Sequence, residues 1–227
     1  MLIEWEKLPK RMQNEAVRGY YEILSKKQKA LVIKRVFDAV MSSFLLILLS
    51  PVFLILAIAI KADSPGPVFF RQIRVTQYGK KFRIFKFRTM VTDAEKLGTQ
   101  VTTKGDPRIT RVGRVIRKYR LDELCQLIDI LRGTMSFVGT RPEVPKYVAR
   151  YTDEMLATLL LPAGVTSEAS IRYKDEEKLL EGAADVDEVY MREVLPEKMK
   201  YNLKELRGFS ILSELKIMFQ TVGAVLR

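Results

Sequence analysis

The sequence predicts a mostly α-helical protein with a small β-hairpin, an α+β fold that inserts into a membrane. Three features predict this class. Met41 to Ile60 is an uncharged, largely apolar run; two short runs rich in aromatic residues flank Gly79; and apolar residues recur at helical spacing from Ile211 to Leu226. With 227 residues, 48% of them apolar, the chain can bury the core of one ordinary domain.

Residues 1–33 form a leader of mixed charge that we interpret as an ordinary amphipathic helix. The apolar run that follows is about 30 Å long if wholly helical, enough to cross the hydrocarbon core of a bilayer. Pro51 follows Ser50 at its midpoint, where the ring would bend a helix. Basic residues flank both ends, which favours the cytoplasmic side for both. These residues alone predict either a re-entrant helix broken at Ser50 and Pro51 or a kinked spanning helix.

The runs around Gly79, "SPGPVFFRQIRV" and "TQYGKKFRIFKFRTM", predict two strands joined by a turn. In the second run Lys86 and Arg88 alternate with Phe85 and Phe87, which predicts a β-ribbon with cations on one face.

The formal net charge is +12, and an excess of the same size lies between Pro65 and Leu121, with fifteen Lys or Arg and three acids. Such a stretch indicates a polyanionic partner: nucleic acid, anionic lipid or a phosphate-bearing substrate. The chain has no histidine, which excludes Ser/His and Cys/His catalysis and disfavours zinc. The single cysteine, Cys125, excludes an intrachain disulfide and is interpreted as a small buried residue.

Basic residues then recur every three positions, which predicts one cationic helix face: Arg108, Arg111, Arg114 and Arg117. The next segment, "LDELCQLIDILRG", has an apolar stripe and a stop at Gly133, so Asp122 and Glu123 fall in its first turn. A carboxylate there, beside arginines, is expected to have a depressed pKa and to serve as a nucleophile in phosphoryl transfer. The alternatives are that Asp122 only caps the helix and that the basic face is only solvated.

The terminal apolar spacing predicts a helix that either lies at the bilayer surface as an interfacial amphipathic helix or packs on the domain. Its apolar positions are Ile211, Leu215, Met218, Val222 and Leu226.

Several motifs in one order, from about Lys34 to Tyr147, together resemble the bacterial sugar transferase family, the small monotopic phosphoglycosyl transferases. They are "KRVFD" before the broken apolar run, "SPGPVFFRQIRV", "FKFRTM", "DPRITRVGRVIRKYRLDEL" and "MSFVGTRPE". The resemblance implies a re-entrant helix and a nucleophile at Asp122. By this likeness, Asp122 attacks the β-phosphate of a UDP-sugar and releases UMP, and a polyprenyl (undecaprenyl) phosphate then collects the phosphosugar.

The resemblance also implies further roles. Glu123 activates the acceptor or supports the metal, and Mg2+ screens the diphosphate, with Asp122 as a metal ligand. The resemblance implies that Arg117 and Arg141 contact phosphate or nucleotide, and Arg88, Arg114 and Gln126 are further candidate substrate-binding residues. The implied membrane-entry residues are Lys34, Arg35, Asp38, Ser50 and Pro51, with the basic pair facing lipid phosphates.

The implied partners are a UDP-sugar, polyprenyl phosphate and membrane lipids, with no nucleic acid and a homodimer left open. The expected location is the cytoplasmic face of the bacterial inner membrane, at the first membrane step of glycoconjugate synthesis. The expected organisation is a leader (1–33), a re-entrant helix (34–64), a catalytic core (65–150) and a C-terminal segment that faces the sugar and carries membrane-associated helices (151–227).

The sequence departs from the family pattern at three positions. Cys125 stands where Pro is common, Asp129 where Asn is frequent, and Thr140 where the first Pro of "PRP" is usual. Thr140 leaves the loop of Arg141 less restricted than a proline would. Two other functions remain open: a nucleic-acid-binding protein, which leaves the apolar run unused, and a non-catalytic basic membrane scaffold, which turns over no UDP-sugar.

Overall fold

The predicted α+β class is confirmed in the residues that this computed structural model describes, 2–94, 106–179 and 185–225. The α-helices are α1 (Glu15–Ser25), α2 (Gln28–Leu48), α3 (Ser50–Asp63), α4 (Arg111–Lys118), α5 (Leu127–Arg132), α6 (Pro145–Val148), α7 (Glu168–Arg172), α8 (Glu176–Leu179), α9 (Val186–Val189), α10 (Leu195–Arg207) and α11 (Ile211–Val225). The strands are β1 (Phe69–Val75), β2 (Lys81–Phe87), β3 (Met135–Val138) and β4 (Ala163–Thr166). Short 3-10 helices (Trp5–Lys7, Lys10–Met12, Gln77–Gly79, Leu121–Gln126, Met155–Leu160) and a π-helical turn (Tyr190–Val194) connect them.

The apolar run is broken, as predicted. Helices α2 and α3 meet at Leu49 with a bend of 61°. Pro51 occupies the first turn of α3, where a missing N–H costs nothing, and the Ser50 hydroxyl donates to the Ile47 carbonyl at 2.8 Å. Within the described ranges no helix by itself has the length and hydropathy to cross a membrane, whereas the bent pair together meets that test. Large apolar side chains remain exposed along the pair: Val36, Val40, Phe44, Ile47, Leu48, Leu54, Ile55 and Ile58.

The predicted hairpin is also confirmed. Strands β1 and β2 pair antiparallel from Phe69 opposite Phe87 to Val75 opposite Lys81. Tyr78 and Gly79 have left-handed backbone angles in the turn. Since neighbouring strand residues face opposite sides, Gln72 and Arg74 share a face that also carries Lys86.

A second sheet was not predicted from the sequence. Strands β3 and β4 pair in parallel, with Met135 opposite Ala163 and Val138 opposite Thr166. The Gly139 N–H donates to the Thr166 carbonyl, and the Gly164 N–H donates to the Thr140 carbonyl, both at 2.9 Å. These backbone bonds hold the loop that follows β3 and carries Arg141.

The leader belongs to the largest hydrophobic core. Val17, Tyr20 and Leu24 of α1 are buried in one cluster with Leu195 and Met199 of α10. Helix α1 is amphipathic, as expected, and Asn14 caps its start by accepting a hydrogen bond from the Val17 N–H at 2.9 Å. The first and last parts of the chain thus share one core, while the four-part domain division stays a prediction.

The C-terminal helix packs on the domain, one of its two sequence interpretations, and also leaves apolar side chains exposed. Helix α11 buries Ile217 against the rest of the protein, whereas Leu212, Phe219 and Val222 are exposed. Position 226, included in the predicted stripe, lies outside the described residues. One face therefore packs on the domain and another presents an apolar surface.

The burial of α1 can be tested at Leu24, which is fully buried. Replacing Leu24 with Ala is expected to lower the free energy of unfolding by about 2–5 kcal/mol, because it leaves a cavity in the shared core. Denaturant unfolding of the full chain in detergent micelles measures the change. Leu179→Ala is the control, since Leu179 is 58% exposed, and should change the free energy by less than about 0.5 kcal/mol. Equal losses for the two variants would contradict the shared core.

Candidate active site

A cavity of about 460 Å³ opens between the hairpin, α4 and the 3-10 helix Leu121–Gln126. It combines cations, carboxylates and aromatic rings. Among its lining residues are Phe69, Phe70, Gln72, Arg74, Lys86, Phe87, Arg88, Met90, Asp93, Arg108, Arg117 and Asp122. Of the predicted site residues, Asp122, Arg117 and Arg88 therefore meet at one cavity.

Helix α4 places Arg117 on the cavity side. Its first turn is capped by Thr110, whose hydroxyl accepts from the Gly113 N–H at 2.9 Å. Gly113 packs so closely that an added Cβ would lie 2.0 Å from the Thr89 carbonyl oxygen. The absence of a side chain at Gly113 thus lets α4 lie directly on the segment after β2.

The predicted face of four arginines needs correction. Helix α4 begins at Arg111, so Arg108 precedes it and forms an ion pair with Asp106 at 2.6 Å. Arg117 and Arg108 line the cavity, whereas Arg111 and Arg114 are exposed on α4. The proposed substrate contact of Arg114 is not supported by this geometry, because Arg114 does not line the cavity.

Asp122 lies in the first turn of the 3-10 helix, as predicted, but its environment differs from the expectation. Burial raises the pKa of its carboxyl above the ordinary value, and Glu123 adds to the rise, while Lys86 and Arg117 oppose it. The expected depressed pKa is therefore wrong in direction, because loss of water outweighs the nearby cations. Arg120, with left-handed backbone angles, occupies the N-cap position, so Asp122 does not cap the helix.

Glu123 is held between two cations. Its carboxylate accepts from Lys86 Nζ at 3.0 Å and from both terminal nitrogens of Arg141, one of them at 3.2 Å. Burial raises the pKa of Glu123, but Arg141 and Lys86 outweigh it and hold the pKa well below its usual range. A carboxylate paired in this way stays ionised and is poorly suited to take up a proton. The two ion pairs of Glu123 suit a role in orienting Lys86 and the loop after β3 that carries Arg141.

Two other residues predicted to contact the substrate, Arg88 and Gln126, are buried in the fold. Arg88 lines the cavity wall but is buried, and its guanidinium donates to the carbonyls of Ser64 at 2.6 Å and Pro65 at 2.7 Å. It therefore ties the end of α3 to the cavity. Gln126 is buried, does not line the cavity, and has neither amide atom hydrogen-bonded among the described residues.

The predicted membrane-entry residues connect α2 to the rest of the fold. Lys34 is buried, donates to the Val138 carbonyl at 3.0 Å and pairs with Glu214 of α11. The expected contact of Lys34 with lipid phosphates is therefore wrong, because its charge is used inside the protein. Arg35 donates to the Ile130 and Leu131 carbonyls, both at 2.7 Å, at the end of α5. The Asp38 carboxylate accepts from the Phe137 N–H at 3.3 Å.

The departures at Cys125 and Asp129 fit their surroundings. Cys125 is fully buried, as predicted, and burial raises the pKa of its thiol, which keeps it protonated and unreactive. The Asp129 carboxylate accepts from the Phe85 N–H at 2.8 Å and joins α5 to β2. Neither side chain competes with Asp122 for chemistry.

The described residues contain no cluster of three or more Asp, Glu or Cys side chains that could hold a metal ion unaided. Asp93 and Asp122 do line the same cavity. Mg2+ is commonly held by one or two carboxylates together with substrate phosphates. These two carboxylates thus fit a Mg2+ ion that would also be coordinated by the phosphate oxygens of a bound diphosphate.

Sequence reasoning did not identify Arg74, Gln72 and Asp93 as site residues. The signal for the first two was the alternation of β1, which places Gln72 and Arg74 on the face that carries Lys86. Asp93 has a left-handed backbone conformation after β2, which no local pattern announced.

The site combines an aspartate with a cavity lined by cations, a charge distribution that suits phosphorylated ligands, and the chain also carries a bent pair of apolar helices. Residues 29–227 match the model of the family described as bacterial sugar transferase, and the chain belongs to that family.

Three relatives have names that specify the transfer of a sugar phosphate and undecaprenyl phosphate. The chain is 35% identical over 197 residues to UDP-N-acetylgalactosamine-undecaprenyl-phosphate N-acetylgalactosaminephosphotransferase of Aeromonas hydrophila, covering 86% of this chain and 44% of the relative. It is 36% identical over 196 residues to UDP-glucose:undecaprenyl-phosphate glucose-1-phosphate transferase of Klebsiella pneumoniae, covering 85% and 40%. A putative undecaprenyl-phosphate N-acetylgalactosaminyl 1-phosphate transferase of Bacillus subtilis is 38% identical over 159 residues, 70% of this chain and 87% of that protein. The chain spans less than half the length of the first two.

The electrostatic balance at Asp122 can be tested by titration. Replacing Lys86 with Met removes a cation that lowers the pKa of Asp122, so this pKa should rise further. The carboxyl stretch of Asp122, assigned by subtraction of an Asp122→Asn spectrum, gives the pKa by infrared spectroscopy. Lys86→Arg keeps the charge and is the control. An unchanged pKa in Lys86→Met would contradict the arrangement.

Proposed function

We propose that the chain is a phosphoglycosyl transferase that moves a sugar 1-phosphate from a UDP-sugar to polyprenyl phosphate through a covalent aspartyl intermediate. The observation that carries the proposal is Asp122, which faces a cavity lined by Lys86, Arg108 and Arg117. The names of the relatives, which specify UDP-sugars or undecaprenyl phosphate, support this substrate class.

In the first step a carboxylate oxygen of Asp122 attacks the β-phosphorus of the UDP-sugar. The bond from this phosphorus to the bridging oxygen breaks, and UMP leaves with the bond's electron pair. In the second step a phosphate oxygen of the carrier attacks the same phosphorus, which restores the Asp122 carboxylate and gives polyprenyl-diphospho-sugar. Lys86 and Arg117 counter the effect of burial on Asp122 and stabilise charge on the transferring phosphoryl group.

In this mechanism Glu123 orients the residues around Asp122. Because it binds Lys86 and Arg141 at once, it fixes one cation beside Asp122 and holds the loop after β3. A bound Mg2+ would be held by Asp122, with Asp93 as a second carboxylate, and would screen the diphosphate charge.

The bent pair α2–α3 enters and leaves the bilayer through one face in this proposal. Its exposed apolar side chains and its basic flanks support this topology. The exposed face of α11 then lies at the bilayer surface. The cytoplasmic face of a bacterial inner membrane is the proposed location, since UDP-sugars are cytoplasmic substrates.

Topology is tested by cysteine labelling of intact inverted vesicles and spheroplasts. Lys29 and Lys61 are exposed and flank the pair, so Lys29→Cys and Lys61→Cys should both react from the cytoplasmic side. The native Cys125 is buried and should remain silent. Leu48→Cys, next to the bend, should be protected by lipid. Labelling of positions 29 and 61 from opposite sides would indicate a spanning helix.

The reaction is tested with the full chain in nanodiscs, polyprenyl phosphate, Mg2+ and a panel of UDP-sugars. UMP should form, and Asp122→Asn should lower its rate by at least about 10³-fold, because the nucleophile is lost. Asp153→Asn, at an exposed position, is the control and should keep the native rate.

Each other outcome would favour a different function. UDP in place of UMP would indicate an ordinary glycosyl transferase. Absence of turnover across the panel would favour the non-catalytic scaffold, and salt-dependent binding of DNA or RNA would favour the nucleic-acid-binding function.

A further inference from the structure

Arg74 of β1 is a cation of the cavity wall to which the roles above give no task. It lines the same cavity as Asp122, and its side chain is 22% exposed. Its guanidinium donates from Nε and Nη2 to Gln72 Oε1, at 3.0 and 2.7 Å, and from Nη1 to the Pro142 carbonyl at 3.1 Å. These bonds use three of the roughly five N–H donors of an arginine, so about two are left for an anion.

Arg74 is fixed from behind by a buried carboxylate. Glu143 Oε2 lies 3.9 Å from Arg74 Nη1, and Glu143 is 7% exposed. The Val75 N–H donates to the Glu143 carbonyl at 2.9 Å, which joins the loop after β3 to the strand that carries Arg74. A guanidinium held on several sides loses little conformational freedom when it binds a ligand.

Glu143 is in turn held by the C-terminal part of the chain. Tyr190 donates its hydroxyl hydrogen to Glu143, and Lys198 Nζ donates to the Tyr190 hydroxyl at 3.1 Å and to Glu176 at 2.6 Å. Tyr190 opens the π-helical turn Tyr190–Val194. Such turns are rare and occur frequently at functional sites, because they redirect a side chain out of regular helical register.

We propose that Arg74 binds a phosphate group of the substrate in the cavity, and that Tyr190 positions Arg74 through Glu143. The diphosphate as ligand rests on the proposed function. An arginine fork matches two phosphate oxygens, and Lys86 and Arg117 line the same cavity. Arg74 is thus a binding residue, while Glu143 and Tyr190 are positioning residues in a part of the chain far from Asp122 in sequence.

The first experiment measures UDP binding by calorimetry, using the full chain in nanodiscs. Arg74→Gln should weaken UDP binding by at least about tenfold, because a charge-assisted contact is lost, and Arg74→Lys should weaken it less. Arg83→Gln is the control, since Arg83 is an exposed residue of the same hairpin, and it should bind UDP as the native protein does. Native affinity in Arg74→Gln would overturn the inference. In turnover, Arg74→Lys should raise KM for the UDP-sugar more than it lowers kcat.

The second experiment is a double-mutant cycle that separates positioning from general stability. Tyr190→Phe should weaken UDP binding by about 3- to 10-fold in the native background and by less than about twofold in Arg74→Gln. Tyr147→Phe is the control: its ring packs on Tyr190 at 5.0 Å, but its hydroxyl donates to Asp187. Equal effects of Tyr190→Phe in both backgrounds would overturn the positioning role.

The two proposals fail separately. If native protein turns over a UDP-sugar while Arg74→Gln binds UDP normally, the inference on Arg74 fails and the transferase stands. If no UDP-sugar is turned over but UDP binding depends on Arg74, the anion site stands and the transferase fails.

Discussion

The ion pairs of Glu123 with Lys86 and Arg141 hold the candidate site together. They join three segments that are distant in sequence: the second strand of the hairpin, the 3-10 helix of Asp122 and the loop after β3. Partly buried charges of this kind are stable only while each has its partner. Loss of Glu123 would leave Lys86 and Arg141 without their carboxylate partner, so Glu123 has a structural role, whereas Asp122 is the reactive carboxylate only in the proposed function.

Cations also connect the apolar helix pair to the rest of the fold. Arg88 binds the Ile60 carbonyl in the last turn of α3 at 3.4 Å and the Ser64 carbonyl just after that helix at 2.6 Å, and Arg35 binds the Ile130 and Leu131 carbonyls in the last turn of α5. Lys34 joins α2 to β3 and to α11 through Val138 and Glu214. The segments with exposed apolar faces are thereby fixed relative to the cavity, as the proposed transfer from a water-soluble donor to a lipid-soluble acceptor would require.

Much of the fold could be predicted from local patterns. Proline chemistry predicts the break at Ser50 and Pro51, and strand alternation predicts the hairpin. The left-handed conformation that glycine favours predicts the end of α5 at Gly133. The parallel pairing of β3 with β4 joins segments separated by more than twenty residues, and no local pattern encodes it. The burial of Lys34 was missed for the same reason, since its partner Glu214 lies 180 residues away.

The candidate site was predicted in part. Asp122 and Arg117 meet at the cavity as the motif implied, and Cys125 is buried. The direction of the pKa shift at Asp122 could not be predicted, because it depends on how much water the folded cavity removes rather than on the neighbouring charges in the sequence. The three-residue spacing did not define the start of α4 at Arg111, which leaves Arg108 before the helix, and it did not show that Arg114 is exposed and does not line the cavity.

The most direct measurement is mass spectrometry of the native chain after brief incubation with a UDP-sugar in the absence of polyprenyl phosphate. The account predicts a mass gain of one sugar phosphate, located on Asp122 by fragmentation, that disappears when the carrier lipid is added. A native protein that forms UMP and glycolipid without any adduct, or with the adduct on another residue, would contradict the covalent role of Asp122.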